Sequence, residues 1–219
     1  MPPPTLSVIP PEGLGPWLVL LSFGVYHGLN PGMGWLFALS LGLQQKSGRA
    51  IWVALFPIAA GHAVSVAVVA GMVWAGMRLV SPWTVQVLIA LVLFGFGIYK
   101  MGTYYRHPRW VGMKVGLRDL FVWSFLMATA HGAGLMVGPA LVGVARLCGS
   151  PDTQLRVGTG LLLAVGLHTS AMLVVMGGVA WGVYKKFGLA VLRQQWINFD
   201  LIWAVALLIV GGMALVLAL

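Results

Sequence analysis

The chain has 219 residues, 60% hydrophobic and only 8% charged, where soluble domains carry about 25% charged residues. With a mean hydropathy of +0.95 it lacks the polar surface that water requires. Its 13 Lys and Arg against 4 Asp and Glu give a net charge of +9, but no basic stripe interleaved with aromatic residues occurs, so the charge reads as membrane topology and no nucleic-acid partner is expected.

Residues 1–16 form a Pro-rich N-terminal tail with six prolines and no Lys or Arg, unlike the basic opening of a signal peptide. Six apolar segments follow, each near the ~20 residues a span needs. They run over Trp17–Leu43, Ile51–Met77, Trp83–Tyr99, Leu120–Leu147, Val157–Tyr184 and Ile197–Leu219. The first is too long for one straight crossing and holds Asn30, Pro31, Gly32, Met33 and Gly34. The fourth is interrupted by Gly132, Gly134, Gly138 and Pro139. Broken helices are tolerated at membrane depth only where protein or a polar cavity receives the freed backbone groups. Tryptophans 17, 83 and 196 sit near span ends, as amphipathic anchors do.

Loop charge gives the orientation. Lys46 and Arg49, then Lys100, Arg106, Arg109, Lys114 and Arg118, then Lys185, Lys186 and Arg193 lie on one side. Arg78, Arg146 and Arg156 lie on the other. The positive-inside rule puts the richer side in the cytoplasm and both termini outside, in what reads as a bacterial inner membrane. The single Cys148 excludes an internal disulfide, and there is no C-x-x-C pair for thiol relay or zinc.

The halves echo one another. Tyr26-His27-Gly28 matches Ala130-His131-Gly132 at an offset of 104, and His62 matches His168 at an offset of 106. Trp83 matches Trp196 at an offset of 113. With three spans per half, the copies point in opposite directions. The expected fold is an all-α integral membrane protein of six transmembrane helices. It forms two inverted three-helix repeats, residues 17–100 and 120–219, around a basic cytoplasmic loop at 101–119, with helices 1 and 4 broken.

Four of the five histidines fall inside spans, and only His107 is in a loop. His27 lies ten residues after Trp17, while His62, His131 and His168 each lie eleven residues into their spans. At about 1.5 Å per residue each sits roughly 15–17 Å from its helix start, near the midplane of a ~30 Å core. Imidazoles there can glue helices together, but intramembrane ionisable residues mark pathways by default, and imidazole is the commonest neutral metal ligand. A metal site and a proton relay both fit this pattern. Pro31 removes the helical partner of the His27 carbonyl, so that oxygen, Asn30, and the thioethers of Met33, Met127 and Met136 are candidate additional ligands. No Asp or Glu lies in mid-span; Asp119 and Asp200 are near cytoplasmic helix ends, within reach of Arg118 and Arg193. Pro31, Gly32, Gly132, Gly134 and Pro139 are the expected helix-break residues; Gly28 and Gly34 also suit close helix contact.

The stretch His27-Gly28-Leu29-Asn30-Pro31-Gly32-Met33-Gly34 resembles the first-helix motif of the nickel/cobalt efflux family (RcnA/NicO type). Ala60-Gly61-His62-Ala63-Val64-Ser65 looks like its second-span histidine motif. The likeness covers roughly residues 20–70, and six spans fit the wider lysine-exporter-like superfamily. It implies a heavy-metal exporter with His27 and His62 among the ligands. The chain departs from the pattern at Met33, where the family has a further histidine, at Asn30, often acidic there, and in lacking a His-rich loop.

The leading expectation is a membrane transporter carrying a transition-metal cation (nickel, cobalt, copper or zinc) through a midplane site of His27, His62, His131 and His168. The alternatives are a membrane-embedded histidine-ligated metalloenzyme, disfavoured by the absence of a nearby carboxylate, and a small accessory membrane subunit whose histidines only pack. The expected partners are membrane lipids, the metal ion, and either further copies of the chain or a partner membrane subunit.

Overall fold

The computed structural model describes residues 13–103, 116–148, 154–186 and 199–218. The tail up to residue 12, the loop residues Arg106, His107, Arg109 and Lys114, and Arg193 and Trp196 lie outside them. The described residues are helical apart from short connections and include no strand. The helices are α1 (Gly15–Leu29), α2 (Trp35–Gln44), α3 (Gly48–Leu79), α4 (Pro82–Thr103), α5 (Leu117–Ala130), α6 (Ala133–Cys148), α7 (Gln154–Lys186) and α8 (Phe199–Val216).

Three of these are long and apolar enough to cross a membrane: Gly48–Leu79, Pro82–Gly102 and Leu155–Lys186. The pair α5 and α6, bent by 70°, makes a fourth if taken as one span, whereas α2 and α8 are apolar but shorter. Outward-facing Phe56, Leu162 and Val174 are 68%, 71% and 72% exposed. Water would penalise such side chains, while lipid chains match them, so the exterior fits a membrane protein.

Two breaks shape the helices, and each has a local cause. Pro31 disfavours helical backbone at the residue before it, and Asn30 accordingly adopts an extended conformation (φ −69°, ψ 118°). The Asn30 side chain accepts a hydrogen bond from the Gly32 amide at 2.9 Å and so caps the short 3-10 turn Pro31–Met33. Gly34 then turns the chain at φ 123°, a left-handed value that suits glycine. The Trp35 indole N–H reaches back across the gap to the Leu29 carbonyl at 3.1 Å. The second break is shorter. His131 caps α5, Gly132 takes φ 69°, and α6 starts at Ala133. Gly134 and Pro139, two of the expected break residues, lie within α6. Pro139 is seven residues into that helix, and its missing N–H leaves the Leu135 carbonyl without the usual helical donor.

Packing is organised around α3 and α7, the two longest helices. α7 meets α1, α2, α3 and α6, while α3 meets α2, α5, α6 and α7; α4 lies along α8. Side-chain hydroxyls fasten the α3–α5 crossing: Ser124 donates to the Ile58 carbonyl at 2.7 Å. Thr129 donates to the Phe125 carbonyl at 2.8 Å, so in the 3.1 Å contact between Ser65 and Thr129 the serine is the donor. Asp119, expected beside Arg118, instead accepts from the Gly116 amide at 2.9 Å, at the N-terminus of α5 where a carboxylate complements the helix dipole.

Candidate metal centre

The centre begins with a glycine pair. Gly24 and Gly28 are one helical turn apart, on one face of α1. A Cβ at Gly24 would come within 2.7 Å of Ala171 Cβ, and one at Gly28 within 2.7 Å of the Met172 carbonyl oxygen. No alanine fits there, so the two glycines let the backbones of α1 and α7 touch, in the manner of small-residue packing between membrane helices. That contact sets His27 of α1 beside His168 of α7. His168 is the fifteenth residue of 33 in α7, and His62 is the fifteenth of 32 in α3. The crossing of α3 and α7 therefore supplies a third imidazole from mid-helix.

The three rings form a near-equilateral cluster, with centroid separations of 4.9 Å (His27–His168), 5.3 Å (His27–His62) and 5.4 Å (His62–His168). His27 Nδ1 lies 3.0 Å from His168 Nε2, and His62 Nε2 lies 3.2 Å from the same atom. One nitrogen from each ring falls within 4.8 Å of the others. All three side chains are buried to within 1% of complete. Three buried histidines are thus positioned to hold a metal ion.

Hydrogen bonding fixes the tautomer of one ring. His168 Nδ1 is 3.0 Å from the Leu20 carbonyl oxygen, which can only accept, so Nδ1–H donates and Nε2 presents its lone pair to the cluster. Donation of the far ring nitrogen to a backbone carbonyl is the usual way a protein orients a ligating histidine. The far nitrogens of the other two rings, His27 Nε2 and His62 Nδ1, are buried with no hydrogen-bond partner among the described residues.

His131 is not one of the three grouped imidazoles. Its ring Nδ1–H donates to the Met127 carbonyl at 2.9 Å. The Trp203 ring lies against both His27 and His131, at centroid distances of 5.1 and 5.7 Å, and its indole N–H donates to the His131 backbone carbonyl. Trp203 also stacks on Tyr26 at 5.5 Å. Sequence reasoning did not single out this tryptophan. The available signal was its place inside an apolar run, since membrane tryptophans usually occupy the interface.

The expected auxiliary ligands are engaged in other ways. The Asn30 oxygen caps the 3-10 turn, and the Asn30 amide donates to the carbonyls of Tyr26 and His27 at 3.2 and 3.3 Å. The His27 carbonyl therefore keeps a donor despite Pro31. Met33 and Met136 are almost fully buried in the apolar core that also holds Trp203. Met127 is half-buried, and its carbonyl takes both the backbone N–H and the ring N–H of His131.

No family model matches the chain, and no curated protein or solved structure matches it significantly either.

Proposed function

We propose that the protein is a membrane transporter, in the direction of export, for a transition-metal cation that rests at the His27–His62–His168 cluster during passage. The observation that carries this reading is the convergence of three fully buried imidazoles from α1, α3 and α7 at 3.0 and 3.2 Å nitrogen separations. Three nitrogens at such spacing need little movement to surround an ion at about 2.0–2.1 Å from each. Burying ionisable side chains within a membrane domain is costly, and such residues mark functional sites by default.

In this reading the chain makes six crossings as two inverted repeats, with α1–α4 corresponding to α5–α8. Packing supports it. Exchanging the halves turns α1 on α7 into α5 on α3, α2 on α7 into α6 on α3, and α2 on α3 into α6 on α7; all six contacts occur. The contacts α3 on α7 and α4 on α8 map onto themselves. The contacts of α6 with α1, α4 and α8, and of α3 with α4, have no such counterpart of comparable extent. On this reading the cluster lies at the repeat interface, where rocking of one half against the other would open it to alternate sides. The basic loops face the cytoplasm of a bacterial inner membrane, with both termini outside.

The test is metal flux in proteoliposomes for the wild type and His27→Ala. Flux that is saturable in the wild type and lost in the variant is the expected result. Equal flux in both would remove the cluster from the transport path.

A further inference from the structure

We infer that the cluster takes a soft monovalent cation, copper(I), in preference to the divalent ions of the same series; the inference rests on the transport-site reading above. Charge sets the preference. Every donor at the centre is neutral: His27 Nδ1, His62 Nε2 and His168 Nε2. The thioethers that share the adjoining core, Met33 and Met136, are neutral as well. Among the described residues no carboxylate or thiolate joins the cluster. Asp119 is exposed and bonded to Gly116, and Cys148 ends α6.

Among the described residues, the groups behind the ligands are also uncharged. Metal-bound histidines commonly donate their far N–H to a carboxylate, which adds negative charge behind the ligand. Here the Leu20 carbonyl stands behind His168, and nothing accepts from the far nitrogens of His27 and His62. A cation entering this pocket must therefore be stabilised by three dipoles, with no counter-charge among the described residues that join the cluster. The Born penalty grows with the square of the charge, so a divalent ion pays about four times what a monovalent ion does. A zinc ion on three histidines offsets its charge by drawing hydroxide from a bound water. Copper(I) needs no such anion and is content with two or three neutral donors.

The hydroxyl next to the ligands in sequence is that of Tyr26, buried without a partner among the described residues, and its ring borders a cleft of about 320 Å³ shared with Ser22, Met136 and Ala206. Replacement of Tyr26 by Phe tests whether that hydroxyl contributes to the site.

The experiment uses the full chain in lipid nanodiscs. Copper(I) is supplied from a chromophoric chelator under reductant, and silver(I) serves as a redox-inert check. Zinc(II), nickel(II) and cobalt(II) then compete at hundredfold excess. The expected result is one copper(I) per chain, less than about a tenth of it displaced by any divalent ion, and the same behaviour in Tyr26→Phe. Displacement of more than half by a divalent ion, or loss of binding in Tyr26→Phe, overturns the charge argument while leaving the metal site in place. If neither charge class binds to a chain whose thermal unfolding is cooperative, both this inference and the proposed function fail.

Discussion

The two broken helices present the same short sequence signature and put it to different use. In α1 the histidine lies three residues before Asn30, inside regular helix, and its ring turns toward α7. In the α5–α6 pair the histidine is the cap residue itself, and its ring folds back onto the carbonyl of Met127. A shift of three residues between histidine and break decides whether the imidazole joins the cluster. Histidines at equal depth in the sequence are therefore a census of candidates, and the backbone around each selects the members.

That contrast can be broken or sharpened by substitution. The largest effect is expected for His168→Ala, because His168 Nε2 is the atom both other rings approach; metal affinity should fall about 100-fold or more, as measured by chelator competition. Next comes Gly28→Ala, which forces a methyl group against the Met172 carbonyl and Val175. Overpacking of this kind costs about 1–3 kcal/mol, and a lowered unfolding temperature with weaker metal binding would reveal it. Trp203→Phe keeps an aromatic ring but deletes the donor to the His131 carbonyl and leaves a void in the buried core, a loss of about 1–3 kcal/mol that should leave the cluster's metal affinity largely intact. Asn30→Ala removes the cap on the Gly32 amide, again about 1 kcal/mol, read out as faster proteolysis around residues 30–34. The smallest effect on metal binding belongs to His131→Ala. A loss there as large as in His168→Ala would erase the distinction between the two breaks.

Much of this arrangement was legible in the sequence. Apolar runs and loop charge give an all-helical membrane protein, and Asn30-Pro31-Gly32 announces the first break because proline dictates the backbone of its neighbour. Equal depth flagged His27, His62 and His168. Depth carries no information about rotation around the helix axis, so it could not separate His131 from the rest. Pro139 misled for a related reason: α6 packs on α1, α3, α4 and α7, and that packing holds the helix together where local propensity alone would end it. Trp203 and Gly24 were invisible as site residues, since their roles come from helices distant in the chain, 72 residues away for the Trp203–His131 bond and farther for the contacts with His27 and α7.

The most direct test is an anomalous-scattering map from crystals grown with saturating metal. One peak bounded by His27 Nδ1, His62 Nε2 and His168 Nε2 is the predicted result. A peak at His131 instead, or no peak among the three imidazoles, would contradict the assignment of this cluster as the cation site.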